Sequence, residues 1–582
     1  MPDLVIRGAT VVDGSGQPAR VADIGVSGGR IVDIGQLGTG DAEVVDAAGL
    51  VAAPGFVDPH THYDAQLFWD RHLTPSSQHG VTSVIAGNCG FTIAPVGPDG
   101  GDYLRRMLAR VEGMPIAALE EGVDWSWESY PDYLDTVEQR GLGVNVGFMV
   151  GHSALRRYVM GDGVAAEAHP AQVEAMAALL DVSLAAGGLG LSTSRAPSHA
   201  DGDGNPVPSR YASDDELLSL AEVVGRHEGT GLEAIVAGCT GTFSDEEIHL
   251  LGEMSRRADR PLNWNVLDVD SRRPDDLRRQ LDASTMVAAM GGRLVPLTMP
   301  ILVPMAMSFD TYCAIHLLQG WKEVMTLPTQ ERLAALRRPE TRALLLTGAE
   351  GERIPGLRRL IDFGGYRIGD TFSAANHGLA GRAVQDIADE RGRPAFDTLV
   401  DIVVHDGLRT VLWPTLPGDD DASWTLRRQV WTDDRVLLGG SDAGAHLDRM
   451  CGAPYVTTFL GDMIRGRRLL PLETAVRLIT DAPARLFGLR DRGRLLPGAL
   501  ADIVLFDPET IGAGPPSFAA DLPGHGARLT AASNGIARVY VNGIETIRDG
   551  SPTGTTPGRL LRSGRDTTGT AVSLVAARPR SS

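Results

Sequence analysis

The sequence predicts an α/β protein, a (β/α)8 TIM-like barrel with a small β-sandwich built from both chain ends. Three observations lead there. Eight short apolar runs alternate with helical patterns through the middle of the chain, as repeated βα units of a parallel sheet do. Both ends carry β-rich runs broken by glycine-bearing turns. A chain of 582 residues also exceeds one small core, so a catalytic domain plus an accessory domain is expected.

From residue 4 to about 51, the runs 4–6, 10–12, 23–26 and 30–34 are punctuated by Gly8, Gly14, Gly16, Gly28 and Gly29. The texture returns at 502–506 and 538–542, so the two ends are expected to share one sandwich. The barrel strands are expected at 49–57, 82–86, 144–150, 188–192, 231–236, 261–267, 293–299 and 435–440, with the chemistry at their C-terminal ends. The stretch between 299 and 435 is too long for one βα unit and carries helical patterns such as 329–336. An insertion at about 305–430 is therefore expected, one able to act as a lid. The resulting boundaries are 1–53 and 486–550 for the sandwich and 54–485 for the barrel. Residues 551–582, rich in Gly, Thr, Ser and Arg, read as a mobile tail.

Composition narrows the function. A net charge of −20 disfavours nucleic acid or an anionic membrane as partner and favours a small-molecule substrate. No apolar run reaches the roughly 18 residues of a membrane span. Cys89, Cys239, Cys313 and Cys451 lack paired spacing and no signal peptide is evident, which points to the cytoplasm. Subunit count stays open, a homo-oligomer included. Lys322 is the only lysine, so lysine chemistry at a barrel strand is excluded.

The strongest motif is 54–64, Pro-Gly-Phe-Val-Asp-Pro-His-Thr-His-Tyr-Asp. Alternate residues of a strand share a face, so His60 and His62 project to one point, where two imidazoles suit a divalent metal such as Zn²⁺. The plainer alternative is a pair of buried structural histidines. Asp442, in Gly-Gly-Ser-Asp-Ala-Gly-Ala-His (439–446), follows the eighth strand, which in a closed barrel neighbours the first. It suits a metal ligand and general base, or else a helix N-cap. Cys89 ends the second strand in Gly-Asn-Cys-Gly as a ligand or an inert filler. Arg195 follows the fourth strand, suited to gripping a substrate carboxylate or to pairing with the acidic run 214–216. His152 and His446 suit carbonyl polarisation or loop bonding, and His199, Glu233, Cys239, Asn263 and Asn265 lie near strand ends.

Together these landmarks resemble the amidohydrolase superfamily, specifically its N-acyl-D-amino-acid deacylase (D-aminoacylase) branch. Val-Gly-His-Ser-Ala-Leu-Arg (150–156), Pro-Ala-Arg-Leu-Phe-Gly-Leu (483–489) and Ala-Asp-Ile-Val (501–504) add to the match, which runs through residue 550. The resemblance implies amide hydrolysis, with His60, His62 and Cys89 as metal ligands and Asp442 as ligand and base. Strands five and six normally end in histidines in that family; here they read Leu-Glu-Ala-Ile-Val (232–236) and Leu-Asn-Trp-Asn-Val (262–266). One metal, a single Zn²⁺, is therefore expected. The mechanism expected is attack of metal-activated water on an N-acyl (D-)amino acid. The alternatives are a cyclic amide, ester or lactone as substrate, and a non-catalytic scaffold. His199, Glu233, Cys239, Asn263 and Asn265 are then candidate substitute ligands, and Glu233 and Asn263 equally candidates for substrate binding with Arg195, His152, His199 and His446.

Overall fold

The computed structural model describes residues 2–97, 100–311, 314–351 and 359–572; Cys313 lies outside them. The chain divides into two compact units.

In the larger unit (1–301, 421–447 and 452–582), both chain ends build one nine-stranded sheet. They meet at Val51–Pro54, which pairs in parallel with Leu4–Val11 and antiparallel with Ile503–Phe506. Side chains from both ends, among them Ile6, Ile24, Ile503 and Tyr540, share one apolar cluster. The expected strand 49–57 is split at Gly55. Val51–Pro54 stays in this sheet, whereas Phe56–Asp58 opens the parallel series. A β-carbon at Gly55 would lie 2.0 Å from Thr82 Oγ1, so only glycine lets the chain pass between the sheets.

The parallel series runs Phe56–Asp58, Val81–Ala86, Asn145–Phe148 continuing as Val150–Gly151, Gly190–Ser194, Gly231–Ile235, Leu262–Trp264, Leu294–Thr298 and Leu437–Leu438. Each strand pairs in parallel with the next. The strands are almost entirely buried, as a sheet covered on both faces is. The intervening helices begin with side-chain caps: Ser129, Ser213 and Ser244 each accept the N3 backbone N–H of Tyr130–Arg140, Asp214–Gly225 and Asp245–Ala258.

The reading of 551–582 as a mobile tail is corrected as far as residue 572. Leu560–Leu561 pairs in parallel with Asn145–Phe148, and Leu561 packs among Val57, Ile85, Leu189 and Leu297. Thr567 and Thr570 hydroxyls then donate to the carbonyls of Gly229 and Thr230. Residues 573–582 lie outside the described part.

The smaller unit comprises 302–420 and 448–451. Its helices, including Thr329–Leu336, Pro339–Glu350 and Ala395–His405, enclose Phe309, Trp321 and Tyr366. The Trp321 indole N–H donates to the Leu345 carbonyl. Among the described residues no helix is long and apolar enough to cross a membrane.

Candidate metal centre

Thr61 fixes the His-Thr-His triplet. Its N–H and its hydroxyl both donate to the Ile85 carbonyl, each at 2.9 Å, while it bridges to Ala443, whose carbonyl accepts from His62 N at 2.8 Å. The flanking His60 and His62 consequently share a face. Asp58 ties the same corner together, accepting from the backbone N–H groups of His60 and Ser441.

Both imidazoles converge on one carboxylate oxygen. Asp442 Oδ1 lies 3.1 Å from His60 Nε2 and 3.7 Å from His62 Nε2. Cys89 Sγ is 3.5 Å from His60 Nε2, and the donor atoms of His60, His62 and Cys89 lie within 4.8 Å of one another. Asp442 and Cys89 both adopt left-handed backbone, at φ 53° and 55°, a strain of the kind found where the surrounding fold over-determines a working residue.

The electrostatics are those of a buried, mutually compensating cluster. Burial alone would raise the Asp442 carboxyl, but hydrogen bonds from His60 and His62 hold it well below the usual range. Burial would lower His62, yet Glu112 and then Asp442 raise it to about 9. Burial, reinforced by Glu233, pushes the Cys89 thiol far up. Burial also raises Glu233 to about 8. Two imidazoles, a thiol and a carboxylate with this convergence fit a borderline divalent cation. Orphaned His60 Nδ1 and His62 Nδ1 mark rings whose other nitrogens are aimed inward.

The remaining residues separate into groups. Glu233 and Asn263 are register partners. Glu233 Oε2 accepts from Cys89 N at 2.8 Å, Asn263 Nδ2 donates to the Leu232 carbonyl, and Glu233 Oε1 and Asn263 Oδ1 are buried without a partner. Asn265 Nδ2 stands 3.3 Å from His60 Nε2. His199 Nδ1 is hydrogen-bonded with Ser194 Oγ at 2.7 Å, and the ring packs on Phe91. Burial, and next the charge of His62, lowers it to about 4. The backbone N–H of His446 donates to the Glu112 carbonyl.

Three of the expected site residues are engaged by other groups. Arg195 is not a free carboxylate anchor: its guanidinium is held by Asp214 at 2.6 Å and the Ala212 carbonyl at 2.5 Å. His152 has both ring nitrogens engaged, by Thr193 and Glu216 at 2.9 and 2.8 Å, in a fully buried network with Arg156. Cys239 is likewise turned away, accepting from Val236 N.

Glu112 escaped the sequence reading. It follows the helix Gly100–Val111 and brings Oε1 to 3.4 Å from His62 Nδ1. The available signal was an acid just beyond a helix C-terminus, where the dipole disfavours negative charge.

Residues 43–552 match the profile of the amidohydrolase family. The chain is 30% identical to the D-aminoacylase of Alcaligenes xylosoxydans xylosoxydans, over 96% of this chain and 97% of that one. Among solved structures, the N-acyl-D-glutamate deacylase of Bordetella bronchiseptica, complexed with zinc and a phosphonate mimic of the tetrahedral intermediate, superposes with a TM-score of 0.63. It shares 26% identity, over 97% of this chain and all of that one. A D-aminoacylase whose binuclear metal centre shows one-metal activation and second-metal attenuation superposes at 0.62 with 27% identity over the same spans. By its matching profile and its near full-length relative, the chain is a member of the amidohydrolase family, a hydrolase acting on carbon–nitrogen bonds other than peptide bonds.

Proposed function

We propose that the protein deacylates N-acyl (D-)amino acids, using one Zn²⁺ held by His60, His62, Cys89 and Asp442 in a closed (β/α)8 barrel. The observation carrying this reading is the convergence of both Nε2 atoms on Asp442 Oδ1, with Cys89 beside them. The Thr61 to Ala443 bridge supports closure, since it joins the ends of the first and last strands. Glu233 and Asn263 in place of imidazoles support a single metal. The free thiols Cys89, Cys239 and Cys451 suit a reducing compartment, the cytoplasm.

A divalent cation held by these residues would supply Lewis-acid polarisation of the amide carbonyl and a water acidic enough to attack near neutral pH. Asp442 would receive the proton of the attacking water and deliver it to the leaving nitrogen, which departs as an amine while the acyl half leaves as a carboxylate. His199, with Nδ1 committed to Ser194, is the group oriented to meet the substrate's polar end.

The test pairs elemental analysis with a substrate panel. About one zinc per chain is expected, with turnover of N-acyl-D-amino acids. Asp442→Asn is expected to lose at least about 100-fold in kcat, the low end of general acid–base contributions, with an unchanged circular dichroism spectrum. Retained turnover in that variant removes Asp442 from the proton-transfer role. Turnover confined to hydantoin-like rings, esters or lactones overturns the deacylase assignment, and a protein that takes up no metal overturns the mechanism.

A further inference from the structure

A neutral imidazole carries one N–H and one lone pair, and the partner of one nitrogen decides which atom presents which. His62 points Nε2 toward Asp442 Oδ1 and Nδ1 toward Glu112 Oε1, 3.4 Å away. Nδ1 has no hydrogen-bond partner, and the His62 and Glu112 side chains are each 3% exposed, so bulk water does not serve it. Glu112 has a second attachment: its carbonyl accepts the backbone N–H of His446, four residues beyond Asp442. One residue thus touches both the ring and the loop whose side chains meet.

We propose that Glu112 is a positioning residue of the metal centre, its carboxylate accepting the Nδ1 proton of His62 so that Nε2 keeps its lone pair for the cation. The inference rests on the deacylase reading only in taking His62 as a ligand. Charge-assisted acceptors of this kind fix ring orientation and raise ligand basicity, and their loss costs about 10–100-fold in metal affinity. The main-chain tie to His446 does not depend on the side chain, so substitution of Glu112 separates the two attachments.

The experiment measures zinc affinity of metal-free protein by competition with a chromophoric chelator, and the visible spectrum of the cobalt-loaded protein. Wild type, Glu112→Ala and Glu112→Gln are compared. The expected result is about 10–100-fold weaker zinc binding in Glu112→Ala with a shifted cobalt spectrum. Glu112→Gln, which still accepts from Nδ1 but carries no charge, falls between. Thermal melting of the metal-free proteins controls for folding, and the near-isosteric Gln variant decides the question if the Ala variant does not fold. Equal affinity and identical cobalt spectra in folded variants overturn the role of Glu112 while leaving the deacylase reading intact. A wild-type protein that binds no zinc overturns both.

Discussion

Replacing Leu561 by Ala tests whether the chain beyond residue 550 belongs to the core. Leu561 is 1% exposed and lies within the cluster of Val57, Ile85, Met149, Leu189 and Leu297. Its backbone is fixed by pairing with Gly147. Gly558 is held close as well: a β-carbon there would lie 2.0 Å from the Val144 carbonyl oxygen, leaving little room for the strap to shift and fill a void. Truncating a buried leucine under such constraint costs about 2–5 kcal/mol, whereas a residue of a solvated tail changes stability by about 0.5 kcal/mol or less. With a urea dependence of about 3 kcal/mol per molar, the upper end for small proteins, the midpoint of the unit's unfolding transition drops by about 1 M. Tryptophan fluorescence across a urea series reads it. A midpoint unchanged from wild type would refute the assignment of this segment to the fold.

Two further outcomes follow from buried titratable groups. His79 is buried between the Thr457 hydroxyl and the Ala531 carbonyl, and burial, against the opposing Ala531 bond, lowers it to about 4 from 6.5. Between those values the unfolded chain binds a proton that the folded chain refuses, so stability rises with pH there and falls on acidification. About 2–3 kcal/mol is lost between pH 7.5 and 4.5; urea midpoints at the two values should show a smaller loss in His79→Asn, and equal losses would discount His79. Arg156→Met leaves buried Glu216 without its guanidinium partner and should destabilise by about 3–5 kcal/mol. A melting profile matching wild type would refute a structural role for that ion pair.

The parallel strands were legible because buried strands of an α/β fold are written as short apolar runs, and 82–86, 231–236 and 293–299 fall within a few residues of their folded bounds. The segment from 551 to 570 was not legible, because its apolar pair, Leu560 and Leu561, carries no periodicity. Its order comes from partners some 400 residues away. Arg195 and His152 show the same limit within the site. Their chemistry was readable, but the acceptors that consume it, Asp214 and Glu216, belong to the helix Asp214–Gly225 that the fold folds back on them.

Glu233 shows how far identity alone falls short of role. In the sequence it stands where a family histidine is expected, which suggests a substitute ligand or a substrate group. In the fold its Oε2 accepts from the backbone N–H of Cys89, the residue held at φ 55°. A left-handed conformation costs an ordinary side chain about 1–2 kcal/mol, and a hydrogen bond to an uncharged acceptor, the form that burial favours for Glu233, returns about 0.5–1.5 kcal/mol. The Glu233 side chain therefore offsets much of the strain of the conformation that brings Cys89 Sγ to His60 Nε2. A histidine at 233 would not carry that carboxyl oxygen to Cys89 N, so the residue at 233 and the placement of the thiol beside His60 are linked.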